Sequence, residues 1–413
     1  MQATFFIQGA EMTLNDREQT SFFHTYKRLP LQPDHGEGLY LYTTDGTRYL
    51  DMFAGIAVNA LGHSHPRVVA AITEQAKRYI HVSNYFAQEP QVRLAELLLQ
   101  NTGMARVFFS NSGTEAMEGA LKIARRWGAE RGKTGLVGFT NAFHGRTFGA
   151  LSIMDRPNYK DGFGPFLDGC KSLPFNDVQA LRAGVDATTA AVILECVQGE
   201  GGIRPITAAF AAALRELRAE YGFLIICDEI QSGGGRTGRF LAADHFDLEP
   251  DLVTLAKPIG GGLPLGAILG AASVADILQP GMHGTTFGGN PVACAAGIAV
   301  LEEVAEQGLM KHALKMGDYL LAGLRGLVSE FPLTAKEARG LGLMVALELH
   351  AEADPVVAAM RDRGILLNAT DKTVLRFVPP LVITEVEIDV TIAALREVFA
   401  GIRELAPRSG LST

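Results

Sequence analysis

The sequence predicts an α/β protein with a mostly parallel sheet flanked by helices, joined to a smaller α+β domain. From about residue 91 onward, segments with apolar residues at helical spacing alternate with short apolar runs typical of buried strands. Several of these runs end in polar loops, as strands do when their carboxyl ends form a ligand-binding edge. Beyond about residue 306, helices and strands follow that we assign to the smaller domain.

Composition and charge argue against several classes of partner. The 413 residues carry a net charge of −8, and Lys and Arg form no cluster, so neither nucleic acid nor an anionic membrane is expected to bind. No apolar stretch is long enough to span a bilayer, and no signal peptide is apparent. The four cysteines lie far apart, which favours a reducing cytoplasm.

The N-terminal part predicts turns, a hairpin and a helix. Residues 1–35 are polar and turn-rich, whereas residues 38–55 alternate apolar positions around an Asp-Gly turn and predict a hairpin. A helix is expected after Pro66. His63 and His65 precede it, but two histidines without a third ligand are more typical of turn and capping residues than of a metal site. We therefore expect no metal.

The junction between a strand at 105–111 and the helix after it predicts an anion site. Gly113 and Thr114 lie where the helix begins, so free backbone amides and the positive end of the helix dipole can face an anion beside a hydroxyl. The alternative is an ordinary helix cap, with Glu115 favourable in the first turn.

Two further strands carry polar loops to the same edge. The strand at 135–140 leads to Phe143, which can stack on a planar ring, and to Arg146, which suits a carboxylate. The strand at 190–196 leads to a loop with Glu200.

The most informative residues are Asp228 and Lys257. Each follows an apolar run, at 223–227 and 252–256, so neighbouring strands would place an acid and an amine in one crevice. Pyridoxal phosphate needs both, since its aldehyde bonds to a lysine and its ring nitrogen needs a carboxylate. Either residue alone is more simply a turn cap or a solvated amine. Together with the glycines at 260–262, the two favour a pyridoxal-phosphate enzyme.

Other catalytic motifs are incomplete. GGGRTG at 233–238 matches a dinucleotide-binding pattern but lacks an acidic residue about twenty positions later, and RGKT at 131–134 lacks the first glycine of a phosphate loop. There is no GxSxG elbow and no HExxH pair. Hydrolase and metalloenzyme hypotheses therefore have no support.

The chain resembles class III aminotransferases of the fold-type I pyridoxal-phosphate enzymes, in particular the acetylornithine aminotransferases. The resemblance extends from about Tyr26 to the end. It is carried by an ordered series of motifs: TYKRLP, GEGLYLYTTDGTRYLD, NSGTEAMEGALKIAR, FHGRT, VQGEGG, DEIQSGGGRTG, TLAKPIGGGLPLGA, HGTTFGGNP and LRFVPPLVIT. It implies a large domain at residues 66–300 and a small α+β domain built from both termini, at 1–65 and 301–413.

The resemblance also implies the cofactor contacts. Lys257 would hold pyridoxal 5'-phosphate and move the substrate proton, and Asp228 would pair with the ring nitrogen. The further cofactor contacts would be Gly113, Thr114, Phe143, Glu229, Ile230, Gln231 and Thr286. Because Thr286 would come from a second subunit, the resemblance implies a homodimer with shared active sites.

The implied substrate contacts are Arg146, Thr285, Arg376, Glu200 and Tyr26. Arg376 would take the α-carboxylate of glutamate or 2-oxoglutarate, and Glu200 would neutralise it when the other amine donor binds. The physical reason is that an unpaired guanidinium in a dry pocket is costly.

The implied activity transfers the terminal amino group of N-acetylornithine to 2-oxoglutarate, giving N-acetylglutamate semialdehyde and glutamate, a step of arginine biosynthesis. The donor could instead be ornithine, succinylornithine, an acylated lysine or 4-aminobutyrate, since pocket size decides between them. Arg376 and Glu200 argue against a lyase or mutase of the same fold. Intact Lys257 and Asp228 argue against a non-catalytic binding protein.

Overall fold

The computed structural model describes residues 12–405. The ends of the predicted terminal regions, residues 1–11 and 406–413, lie outside it. The strands are β1 (Pro33–Glu37), β2 (Tyr40–Thr43), β3 (Arg48–Asp51), β4 (Arg106–Ser110), β5 (Gly135–Phe139), β6 (Cys170–Leu173), β7 (Thr189–Leu194), β8 (Val197–Gln198), β9 (Arg204–Pro205), β10 (Leu224–Asp228), β11 (Leu252–Leu255), β12 (Gly266–Gly270), β13 (Ala335–Leu341), β14 (Met344–Leu349), β15 (Ile365–Leu366), β16 (Asn368–Thr370) and β17 (Val374–Phe377). The helices are α1 (Leu14–Ser21), α2 (Ala54–Ala57), α3 (Pro66–Arg78), α4 (Glu89–Thr102), α5 (Gly113–Ala129), α6 (Phe148–Ser152), α7 (Pro157–Lys160), α8 (Val178–Gly184), α9 (Ala208–Tyr221), α10 (Pro291–Glu306), α11 (Leu309–Glu330), α12 (Asp354–Arg361) and α13 (Glu385–Leu405).

The central sheet has seven strands in the order β4-β12-β11-β10-β7-β5-β6. Strand β12 is antiparallel to both of its neighbours, and the pairs from β11 to β6 are parallel. Asp228 lies opposite Thr254 in the β10–β11 pair, so the strands that precede the predicted acid and amine are neighbours. The prediction of a mostly parallel sheet is confirmed.

Both faces of this sheet are buried, which explains the nearly continuous apolar strands. Successive side chains point to opposite faces. Val192 and Ile225 belong to the core that contains α9, whereas the next residues, Ile193 and Ile226, belong to the core that contains α5. Helices on both faces return the chain so that parallel strands present their carboxyl ends at one edge, where the polar loops collect.

Two four-stranded sheets lie apart from the central sheet, and one of them joins the two ends of the chain. Strands β13, β14, β17 and β16 form one four-stranded sheet, and β1, β2, β3 and β15 form another, in which Leu50 pairs with Ile365. The predicted hairpin is present as β2 and β3, and α1 and most of β1 lie in the stretch predicted to be polar and turn-rich. The predicted domain boundaries stay predictions, and α10 runs across residue 300 without a break.

The part of the chain that the structure describes contains no helix long and apolar enough to cross a bilayer.

Candidate active site

A cavity of about 480 Å³ opens at the carboxyl edge of the central sheet. It brings together residues predicted from five separate stretches of the sequence. Those that line it are Gly113, Thr114, Phe143, Arg146, Glu200, Asp228, Ile230, Gln231 and Lys257.

Lys257 follows β11 at the start of a short 3-10 turn. Its φ of +49° lies in the left-handed region, which is uncommon for a residue with a side chain and is often retained at functional sites. Removal of the amine from water, and next the charge of Arg376, lower the pKa of Lys257 to about 8. A neutral amine is therefore accessible near neutral pH.

Asp228 ends β10 and is held by His144. Nδ1 of His144 donates to Oδ2 of Asp228 at 2.7 Å, and the amide of Ile230 donates to Oδ1 at 3.1 Å. Burial opposes charge on His144, but the hydrogen bond and charge of Asp228, with a contribution from Glu195, outweigh it and raise the pKa of His144. His144 thereby fixes the orientation of the Asp228 carboxylate at the cavity.

Glu195 is a second buried carboxyl in the cavity wall. It accepts from the amide of Phe143 at 3.1 Å and from the amide of Gly199 at 2.9 Å. Burial raises the pKa of Glu195 to about 7. Glu195 was not predicted as a site residue, because it falls within the buried strand predicted at 190–196. The available signal was a charged residue within an otherwise apolar run. In the structure β7 ends at Leu194, so Glu195 is the first residue after the strand.

The predicted anion site lies at the beginning of α5, a 17-residue helix capped by Ser112. A Cβ on Gly113 would lie 2.6 Å from the Ile230 side chain, and a Cβ on Gly145 would lie 2.1 Å from Oγ1 of Thr114. Gly145 also has a φ of +127°. Neither Gly113 nor Gly145 therefore has room for a side chain, and the free amides at the helix start can bind a phosphate.

Arg376 lies on β17, only 1% exposed, and pairs with Glu200. Its Nη1 donates to Oε1 of Glu200 at 2.5 Å and to Oε1 of Gln231 at 3.3 Å, and its Nε donates to Oδ1 of Asn368 at 3.2 Å. Burial acts to raise the pKa of Glu200, but the charge and hydrogen bond of Arg376 prevail and lower it. The predicted acid–guanidinium pair is therefore formed, with Glu200 on the cavity side.

Besides Arg376, four predicted residues lie outside the cavity lining. Tyr26 is 74% exposed, and Thr286 is exposed. Thr285 accepts a 3.0 Å hydrogen bond from Asn111, which does line the cavity. The carboxylate of Glu229 is buried and accepts from Ser232 and from the amide of Ala243 instead. Their direct contacts stay predictions.

The cavity contains several residues that sequence analysis did not assign to the site. His144 and Glu195 are ionisable, and the others complete the wall: Val58, Asn111, Ser112, Gly145, Ala256, Gly262, Leu263, Pro264 and Leu265. An acid and an amine facing one cavity, with an anion cradle beside them, suit the predicted pyridoxal phosphate.

Comparison with known proteins agrees with this geometry. Residues 22–399 match the family model for class-III aminotransferases. The chain is 44% identical to acetylornithine aminotransferase of Methanocaldococcus jannaschii, over 94% of this chain and 98% of that protein. It is 45% identical to acetylornithine aminotransferase of Caldanaerobacter subterraneus subsp. tengcongensis, over 94% and 99%.

A solved structure of ornithine aminotransferase from Toxoplasma gondii, with partial occupancy of pyridoxal phosphate at its active site, matches the fold with a TM-score of 0.90. It is 34% identical and covers 95% of each chain. The resemblance inferred from the motifs and the fold-type I architecture are both confirmed. The chain belongs to the class-III aminotransferases and is a transaminase that uses pyridoxal phosphate.

Proposed function

We propose that the protein transfers the terminal amino group of N-acetylornithine to 2-oxoglutarate, giving N-acetylglutamate semialdehyde and glutamate. The observation that carries the proposal is the pair of Arg376 and Glu200 at a cavity that also contains Lys257 and Asp228. Such a pair serves an enzyme whose two amine donors differ in the group beside the reacting amine. The two acetylornithine aminotransferases that are 44–45% identical support the donor.

Pyridoxal phosphate supplies an aldehyde that combines with amines and a ring that accepts electrons from the substrate carbon. Lys257 would hold it and then, at its Nζ, carry the proton between substrate and cofactor carbons, a task suited to its lowered pKa. Asp228, hydrogen-bonded to His144, would face the ring nitrogen. The amides of Gly113 and Thr114 would bind the phosphate.

Other cofactor contacts would orient the ring. Phe143 would stack on it, and Ile230 and Gln231 would line the space around it, which agrees with their position in the cavity wall. Glu195 accepts hydrogen bonds from the Phe143 and Gly199 amides and so holds this part of the wall in place.

The two half-reactions would differ in the partner of Arg376. With N-acetylornithine bound, Glu200 stays on Arg376, and Arg146 binds the distant carboxylate. With 2-oxoglutarate bound, Glu200 swings away and the α-carboxylate replaces it, so the buried guanidinium is never left unpaired. Thr370 donates to the backbone carbonyl of Glu200 at 2.8 Å, so the movement needs only the side chain.

We also propose a homodimer in which Thr286 of one chain reaches the phosphate site of the other. Thr286 is exposed and lies outside the cavity of its own chain. Nearby exposed aromatic surface, including Phe287 at 60% exposure, and the 95% exposed Tyr85 favour a covering partner. The four free cysteines agree with a location in the cytoplasm.

The test is a panel of amine donors offered to purified protein loaded with cofactor, with 2-oxoglutarate as acceptor and glutamate formation as the measurement. N-acetylornithine should give the highest kcat/KM. Faster turnover of ornithine, succinylornithine, an acylated lysine or 4-aminobutyrate would replace the proposed donor, and no glutamate with any donor would refute the transaminase mechanism argued from Arg376.

A further inference from the structure

Arg146 lies at the cavity with aromatic rings as its neighbours. Its guanidinium carbon, Cζ, lies 3.6 Å from the centre of the Tyr159 ring and 5.7 Å from the centre of the Phe143 ring. Among the side chains of residues 12–402, no carboxylate forms an ion pair with it, and no side-chain hydrogen bond involves its guanidinium. Its charge is therefore held by ring faces and stays available to a ligand.

Tyr159 does not line the cavity. It lies on the short helix α7, is partly buried, and meets the Phe143 ring edge-on, with the ring centres 5.9 Å apart and the planes at 86°. One side chain outside the cavity thus contacts two residues of its wall: the ring expected to stack on the cofactor and the guanidinium expected to bind a carboxylate.

Stacking orders an arginine without using its hydrogen-bond donors. A ring face attracts the flat face of the guanidinium, whereas the N–H donors point outward in the guanidinium plane and remain free for a carboxylate. A carboxylate partner would have occupied those donors. An exposed arginine with no such support would also lose considerable side-chain freedom each time a substrate bound.

We propose that Tyr159 is a positioning residue that orients Arg146, and that it thereby sets the preference of the enzyme for amine donors with a carboxylate remote from the reacting amine. The inference rests on the proposed function, because it takes the carboxylate of N-acetylornithine as the ligand of Arg146. Tyr159 acts through Arg146 and does not itself touch the substrate.

The test compares N-acetylornithine with N-acetylputrescine, the same acylated diamine without the carboxylate. Tyr159→Ala should lower kcat/KM for N-acetylornithine roughly three- to thirtyfold, the range expected for loss of a cation–π contact, mainly through KM. N-acetylputrescine should be affected less than twofold, by the same reasoning. Tyr159→Phe keeps the ring face and should restore wild-type discrimination.

A binding measurement removes any dependence on turnover. N-acetylnorvaline has the carboxylate but no terminal amine, so calorimetry on the cofactor-loaded protein reports carboxylate binding alone. Its dissociation constant should rise in Tyr159→Ala and return in Tyr159→Phe. In an Arg146→Ala background, Tyr159→Ala should add no further loss, because the two residues would act as one unit.

The outcomes separate the inference from the function on which it rests. Equal losses with both donors, or an additive loss in the Arg146→Ala background, would overturn the role of Tyr159 and assign it to support of Phe143 or of the fold. Unchanged N-acetylnorvaline binding in Tyr159→Ala would overturn it as well. A wild type that discriminates between the two donors but ranks ornithine above N-acetylornithine would overturn the proposed donor only.

Discussion

Replacing Glu200 by Gln should bias the enzyme toward 2-oxoglutarate. In the structure Glu200 pairs with Arg376, with 2.5 Å between Oε1 and Nη1, and in the proposed mechanism 2-oxoglutarate displaces it. The amide of Gln keeps the shape and can still accept from Arg376, but it removes the negative charge. The buried guanidinium, also held by Gln231 and Asn368, should stay in place.

The size of the effect follows from the change in this one contact. Gln still accepts a hydrogen bond from the charged guanidinium, but the carboxylate charge is lost. Hydrogen bonds to charged groups contribute about 1.5–3 kcal/mol, and the contact should move from the upper toward the lower end of that range, which weakens the closed pair by about 1–1.5 kcal/mol. The apparent affinity for 2-oxoglutarate should then rise roughly five- to twelvefold. The N-acetylornithine half-reaction should slow, because Arg376 is less well neutralised while that donor is bound.

Separate half-reactions, followed through the absorbance of the bound cofactor, measure both effects. Glu337→Gln is the matched control, since it makes the same chemical change at a carboxylate that pairs with Arg339 outside the cavity. It should leave both half-reactions unchanged. The displacement mechanism would be refuted if Glu200→Gln left 2-oxoglutarate affinity unchanged or lowered it in a protein of wild-type thermal stability.

Three further predictions concern the cofactor site. Gly145→Ala should lower the affinity for pyridoxal phosphate at least about tenfold, because the new Cβ would lie 2.1 Å from Oγ1 of Thr114. Titration with the cofactor measures this affinity, and a wild-type value would contradict the close packing. His144→Asn should lower kcat about ten- to a hundredfold, since it removes a charged partner of Asp228. Steady-state kinetics measure kcat, and an unchanged value would show that His144 has no part in the mechanism. Lys257 must be a neutral amine to bind the cofactor, so the rate of cofactor loading should rise with pH through about 8, where the lowered pKa of Lys257 lies. A rise centred near 10.5, the ordinary pKa of a lysine, would contradict burial of the amine.

Local patterns were enough to predict much of the architecture. Strands β7, β10 and β11 are continuous apolar runs because the sheet is covered on both faces, and that pattern is visible in the sequence. A helix is expected after Pro66, and α3 begins at that residue. The loops that collect at one edge of the sheet were predicted because neighbouring parallel strands have their carboxyl ends at the same edge.

Contacts between distant residues were not accessible in the same way. The pairing of β3 with β15 joins residues about 315 positions apart in the sequence. Only two residues of each strand are paired, and no local pattern marks them. His144 lies 84 residues from Asp228 along the chain, and nothing in its neighbourhood predicts the 2.7 Å hydrogen bond. The helix α1 was missed because eight residues in a turn-rich stretch give little periodicity, although Thr13 and Asp16 form a capping box.

The sequence by itself determined the sheet, the edge where the polar loops collect, and the acid and amine that identify the cofactor, because each depends on residue type and spacing within a few positions. The tertiary structure decided how those residues are paired: His144 with Asp228, Glu200 with Arg376, and Tyr159 with Arg146. The physical reason is that hydrogen bonding, charge pairing and stacking depend on distances in space, which only the folded chain sets between residues far apart in sequence.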